Sequence, residues 1–152
     1  VNEPIATLYD GAYSTNTSIE VNGWASLRGT TYEIGIIKGV KSVEKNLVHH
    51  IDPKNIVYLA NMNQLTKMLL ANRIDLFIIS TQIENSALMK TPQTQSIKRV
   101  GIAGQKILYP YIHKKHMDLI PKLAVTLKAM KKDGTYDQLF EQAQKEKEET
   151  KK

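Results

Sequence analysis

The most constraining feature of this chain is an alternation packed into fewer than fifty residues, from Tyr32 to Ile79. Tyr32–Ile37 reads as a strand, and Ser42–Val48 as a helix. Ile56–Leu59 reads as a second strand, and a helix follows with Leu65, Met68 and Leu69 at helical spacing. Ile74–Ile79, IDLFII, closes the series as an almost continuously apolar run, as expected for a strand covered on both faces. Strands separated by single helices cannot pair as hairpins, so they predict βαβ units and a mainly parallel sheet.

The punctuation agrees. HHIDPKN is expected to turn, because Pro53 fixes its own backbone and restricts Asp52. Asn61 or Asn63 can cap the second helix and Asn72 can stop it. Thr81 and Glu84 have capping-box spacing for a short helix after the third strand.

The flanks differ. Pro4–Tyr9 and Ile19–Val21 read as extended pieces broken by turns at Asp10–Gly11 and at the STNTS run. Lys106–Ile112 reads as a strand whose proline suits an edge or a crossing segment. Asp118 is then expected to cap a helix running through Met130, with Pro121 in its first turn and a stripe of Leu119, Leu123, Leu127 and Met130. Gly134 is expected to take a left-handed cap, and Thr135 with Gln138 to open a last helix with a short apolar side. The KEKEETKK tail is expected to fray.

With 152 residues the chain is long enough for one core of ordinary size. No apolar run approaches a bilayer-spanning length, and VNEPIATLYDG lacks the pattern of a signal peptide, as a mature secreted chain would. There is no cysteine, which excludes disulfides, thiolate metal sites and cysteine nucleophiles. The net charge of +6 comes from scattered lysines without interleaved aromatics, so no nucleic-acid partner is expected.

Chemistry-bearing motifs are few. IIKGVKS has neither GxxxxGK(S/T) nor GxGxxG spacing, so it specifies no nucleotide. His113 and His116 in HKKH are three apart but lack a third ligand, and no metal site is expected. No GxSxG elbow or convincing carboxylate pair exists, and no catalytic residue and no cofactor are expected. What remains is a set of polar strand ends. In open parallel sheets ligands gather beyond the carboxyl ends of the strands. Gly39, Val40, Lys41 and Ser42 follow the first of these strands, Asn61 the second, and Ser80 ends the third. A helix opening near Ser42 would also present unpaired N–H groups to an anion. The same residues would equally serve as helix caps and connections.

These segments carry a family resemblance. SLRGTTYEIGIIKGVKSVEKNL, LLANRIDLFIIS and KILYPYIHKKHMDLIPKLAVTLKAMKKDGTYDQLF resemble, in order and spacing, passages of bacterial extracellular solute-binding proteins of family 3, which have the type II periplasmic binding protein fold. The likeness implies residues 1–13 as a first hinge segment, 14–105 as an α/β second lobe, and 106–152 as a return hinge strand with C-terminal helices. Most of a typical first lobe has no counterpart here, and with it goes the arginine that clamps an amino-acid carboxylate. Val40 stands where a ligand-binding hydroxyl is usual, and the acidic residue expected near Ser80 is missing.

The resemblance implies non-catalytic binding of a small polar, amino-acid-like solute through Gly39–Ser42, Asn61 and Ser80. The chain would be part of a periplasmic, or at least extracytoplasmic, substrate-binding protein that delivers solute to an ABC-type permease. The alternatives are a ligand-sensing domain of a signalling protein, or an oligomerising half-binding-protein, such as a homodimer through the C-terminal helices, with no solute.

Overall fold

A computed structural model describes residues 1–149. The chain forms two compact units: Leu8–Lys106, and Val1–Thr7 with the segment from Ile107 onward.

The larger unit is a mixed α/β sheet flanked by helices. Its strands are β1 (Ala6–Ser14), β2 (Val21–Asn22), β3 (Ile34–Ile37), β4 (Ile56–Leu59), β5 (Leu76–Ser80) and β6 (Lys98–Leu108). Helix α1 (Lys41–Val48) links β3 to β4, and α2 (Met62–Leu70) links β4 to β5. The sheet order is β2-β6-β1-β5-β3-β4. β3 runs parallel to both β4 and β5, as the βαβ pattern requires, and β2 runs parallel to β6. β1 is antiparallel to β5, with Asp10 opposite Ser80.

The period of two along each strand divides the core. Ile34, Ile36, Leu76 and Ile78 pack with Val43 and Leu47 of α1. The intervening Phe77 packs with Leu65 and Leu69 of α2, together with Tyr13 and Ile74. The two helices therefore cover opposite faces of the sheet, which explains why IDLFII is apolar on both. Burying a leucine such as Leu65 or Leu69 completely contributes about 2 kcal/mol. Gly35 sets how closely α2 approaches, since a Cβ there would lie 2.8 Å from a Leu65 methyl.

Four local expectations are corrected. Asp10–Gly11 is not a turn; β1 runs straight through it. The Asp10 carboxylate is buried in the strand because Lys106 Nζ donates to it at 2.7 Å. A Cβ on Gly11 would lie 2.8 Å from the Tyr13 ring, so the glycine makes room for that ring. The second correction concerns Lys106–Ile112, which is strand only at its start: β6 begins at Lys98 and ends before Pro110. Its glycines hid it, and both are required by neighbours. A Cβ on Gly101 would fall 1.8 Å from the Val21 carbonyl oxygen, and one on Gly104 would fall 2.4 Å from Trp24 Nε1. Third, Thr81 and Glu84 form no capping box. Thr81–Asn85 is a 3-10 helix entered from Ser80 without a side-chain cap, and Glu84 is engaged elsewhere. The strand at Ile74 also starts two residues late. Asp75 bonds to Glu33 instead, through its N–H to the Glu33 carbonyl and through its Oδ2 from the Glu33 N–H.

The second unit contains α3 (Ile120–Asp133) and α4 (Thr135–Glu149). Asp118 is not the cap; it lies in a 3-10 helix, Lys114–Leu119, that feeds α3 directly, with Pro121 in the first turn as expected. Gly134 is left-handed at φ 82°. The next helix is held by Asp133, whose carboxylate accepts from Thr135 N–H; the Thr135 side chain first, and then this N–H, hold it below its usual pKa. Lys131 Nζ donates to Glu3 and to the Pro4 carbonyl, and the Tyr136 hydroxyl donates to the Ile5 carbonyl, so the first residues are tied to these helices. The expected α3 stripe is not buried: α3 has no buried residue. Of the tail expected to fray, α4 extends through Glu149 and the final three residues lie outside the described ones.

Candidate functional site

Register places the expected site residues along one edge of the sheet. Ile37 pairs with Leu59, so the turn into α1 and the turn into α2 leave from adjacent strand ends. β5 lies on the other side of β3, parallel and with Gly35 opposite Phe77, which brings Ser80 to the same edge. Gly39–Ser42, Asn61 and Ser80 thus occupy three neighbouring carboxyl ends.

Each has distinct local chemistry. Gly39 takes φ 93°, a left-handed conformation that a side chain would strain, and it is exposed. This turn lets Lys38 N–H extend the ladder to the Leu59 carbonyl before the chain enters α1. The N-cap of α1 is Val40, whose side chain carries no acceptor. Nothing on that residue caps the first-turn amide of Ser42, which has no acceptor inside the helix. Lys41 and Ser42 are exposed beside it.

Asn61, by contrast, is a satisfied cap. Its Oδ1 accepts from Gln64 N–H at 3.0 Å, and Gln64 Oε1 accepts from Ala60 N–H at 2.9 Å. Only the Asn61 side-chain amide nitrogen remains for another partner. Ser80 is half-buried, and its Oγ is buried with no hydrogen-bond partner among the described residues. A hydroxyl withdrawn from water without a partner costs stability, so its retention calls for a reason.

Sequence reasoning missed two arrangements. An open depression is lined by Lys38, Gly39, Lys41, Glu44 and Tyr58. Desolvation first, and then the negative charge of the nearby Glu44 carboxylate, hold the Tyr58 phenol above its usual pKa. Of the expected site residues only Gly39 and Lys41 line this depression; Asn61 and Ser80 do not. Tyr58, an aromatic in the second strand, and Glu44, one helical turn after Lys41, were the available signals.

The other arrangement surrounds Glu84. Its Oε1 accepts from the Tyr13 hydroxyl at 2.7 Å and from Arg99 Nη1 at 2.9 Å. Tyr13 is stacked on Phe77, and burial, followed by the nearby Glu84, raises its phenol pKa well above the ordinary range. The 3-10 helix after Ser80 thus carries an acidic residue with one oxygen held by internal donors. Nothing local in the sequence joins Tyr13, Glu84 and Arg99; the strand order does, with β1 between β6 and β5.

Among the described residues no group of three or more His, Asp or Glu side chains could hold a metal ion. His113 Nδ1 accepts from the Lys115 N–H within its own turn. No helix among the described residues is long and apolar enough to cross a membrane.

No family model matches this sequence. A protein of Shewanella oneidensis strain MR-1, described as uncharacterized, is 30% identical over 145 residues, covering 94% of this chain and 54% of its own length. Solved structures share the fold. A histidine kinase sensor domain with similarity to periplasmic binding proteins superposes with a TM-score of 0.62 at 16% identity, covering 96% of this chain and 60% of its own. The L-cystine solute receptor of Neisseria gonorrhoeae, unliganded and open, gives 0.64 at 18% identity, covering 92% and 57%. An ancestral arginine-binding protein bound to arginine gives 0.58 at 21% identity, covering 92% and 62%. The chain has a periplasmic-binding-protein-like α/β fold, and it spans about half the length of the curated relative it matches.

Proposed function

We propose that the larger unit is the second lobe of a solute-binding protein, and that it binds a small polar, amino-acid-like solute without chemical conversion. The observation that carries this reading is the edge where three parallel strands end. There the first turn of α1 has no side-chain cap and leaves the Ser42 N–H without an acceptor, while those of Lys41, Val43 and Glu44 are taken by the Gly39 and Val40 carbonyls. At the same edge Ser80 keeps a buried hydroxyl without a partner. A ligand carboxylate or other small anion suits the Ser42 amide at this helix start. The Ser80 hydroxyl, the Asn61 amide nitrogen and the free oxygen of Glu84 suit the ligand's remaining polar groups. Solved proteins with this fold that bind arginine support an amino-acid-like ligand. In this reading the protein works outside the cytoplasm and passes its solute to an ABC-type membrane permease.

Ser80→Ala is the informative substitution. Removing an unpartnered hydroxyl is expected to leave stability unchanged or raise it by up to about 1 kcal/mol, while affinity for the solute falls about tenfold. Calorimetric titration with L-arginine, L-glutamine and L-cystine, alongside urea unfolding, reads both quantities. Unchanged affinity in Ser80→Ala and in Ser42→Ala, for a solute that binds the parent chain, removes the assignment.

The sensor-domain neighbour supports a second reading, in which the same lobe serves signalling. A transmembrane helix and a kinase module in the same gene product would favour it; a lone signal peptide would favour transport.

A further inference from the structure

We propose that the connection between β6 and α3 is a docking surface for an anionic lipid bilayer. From Tyr109 to Met117, YPYIHKKHM, the chain holds no acidic residue. Tyr111 is 97% exposed and Met117 is 61% exposed, and between them His113, Lys114, Lys115 and His116 are all exposed. Two large apolar side chains in water, bracketing four basic residues, are not a solvated loop of the ordinary kind. Neither Lys114 nor Lys115 forms an ion pair among the described residues, so both charges are available to a partner.

The segment has local order rather than trailing freely. His116 N–H donates to the His113 carbonyl at 2.9 Å, and Lys115 N–H donates to His113 Nδ1. This folds His113–Lys115 into a turn that kinks at His116, immediately before Met117.

Charge complementarity and side-chain chemistry select the occupant. Lysine heads suit anionic headgroups while their stems, the tyrosine ring and the methionine suit the boundary with the acyl chains. Single-stranded nucleic acid would use stacking platforms in series; here Tyr111 is fully open, Tyr109 is 42% exposed, and the methionine offers no platform. An acidic protein surface would need a shaped contact, and a protruding turn supplies little shape. A lipid surface uses both sets of side chains without demanding a fitted pocket.

Co-sedimentation of the chain with phosphatidylcholine vesicles, with and without phosphatidylglycerol, tests this. Binding is expected only with phosphatidylglycerol and is expected to weaken as salt rises. Each lysine near such a surface strengthens binding about fivefold, so Lys114→Glu with Lys115→Glu should lose about 25-fold or more. Tyr111→Ser with Met117→Ser should weaken binding several-fold at unchanged charge. All four positions are exposed, so thermal melts should match the parent and report any misfolding. Equal binding to both vesicles, binding to neither, or full binding by the charge-reversed variant overturns the proposal. Retention on polyanionic nucleic acid without vesicle binding overturns it in favour of another partner.

Discussion

Gly101→Ala is expected to destabilise the α/β unit by about 3–5 kcal/mol, which approaches the whole stability of many domains of this size. The reason is backbone, not side chain. Gly101 sits opposite Val21 at φ 152°, and a Cβ there would lie 1.8 Å from the Val21 carbonyl oxygen. That contact cannot be relieved by a rotamer change; β2 must leave β6, and the Ile19, Val21 and Leu27 side chains lose their burial with it. Gly23→Ala is the control. It also has positive φ, but no atom lies within 4 Å of its added Cβ, so only the conformational cost of about 1 kcal/mol is expected. Urea midpoints of the two variants separate a steric account from a conformational one. Similar losses in both would contradict the close approach of β2.

Lys106→Met is expected to cost about 3 kcal/mol, because it strands the Asp10 carboxylate. That side chain is only 4% exposed, and Lys106 Nζ at 2.7 Å is its ion-pair partner. A buried charge that loses its counter-charge keeps its desolvation cost and forfeits the attraction that offset it. The double variant Asp10→Asn with Lys106→Met should recover much of the loss, since the uncompensated charge is gone. Chemical denaturation of the two single variants and the double variant completes the cycle. Strict additivity would mean that the pair contributes no coupling, contrary to its geometry.

The legible part of this fold was the part governed by local pattern. β3, α1, β4 and α2 could be read from apolar spacing, Asn61 and Pro53, because the signals that shape them lie within each element and its own ends. Gly134 was legible for the same reason, as a position whose backbone conformation only glycine adopts freely. The misreadings share the opposite cause. Asp10 and Gly11 look like a turn until Lys106, far along the chain, neutralises the one and Tyr13 fills the space over the other. β6 was legible only from Lys106, because Gly101 and Gly104 before it answer to Val21 and Trp24 rather than to β propensity. In both cases a tertiary contact overrides local preference.

The candidate site divides in the same way. That Gly39–Ser42, Asn61 and Ser80 would gather on one edge followed from the βαβ alternation, because parallel strands present their carboxyl ends together. The quality of each residue did not follow. Asn61 proves largely committed to its cap, whereas Ser80 proves unpartnered, and those states depend on where Gln64 and the 3-10 helix after Ser80 happen to lie. The Glu84 cluster was out of reach altogether, since Tyr13 and Arg99 meet it only through strand pairing.

The central claim is that solute binds at the carboxyl edge of β3, β4 and β5. Its most direct test is a backbone amide NMR titration of the chain with L-arginine, L-glutamine and L-cystine in turn. Saturable shifts confined to Gly39–Ser42, Asn61, Ser80 and their immediate neighbours are the predicted result. Saturable shifts that leave those amides unmoved and gather elsewhere would contradict the account.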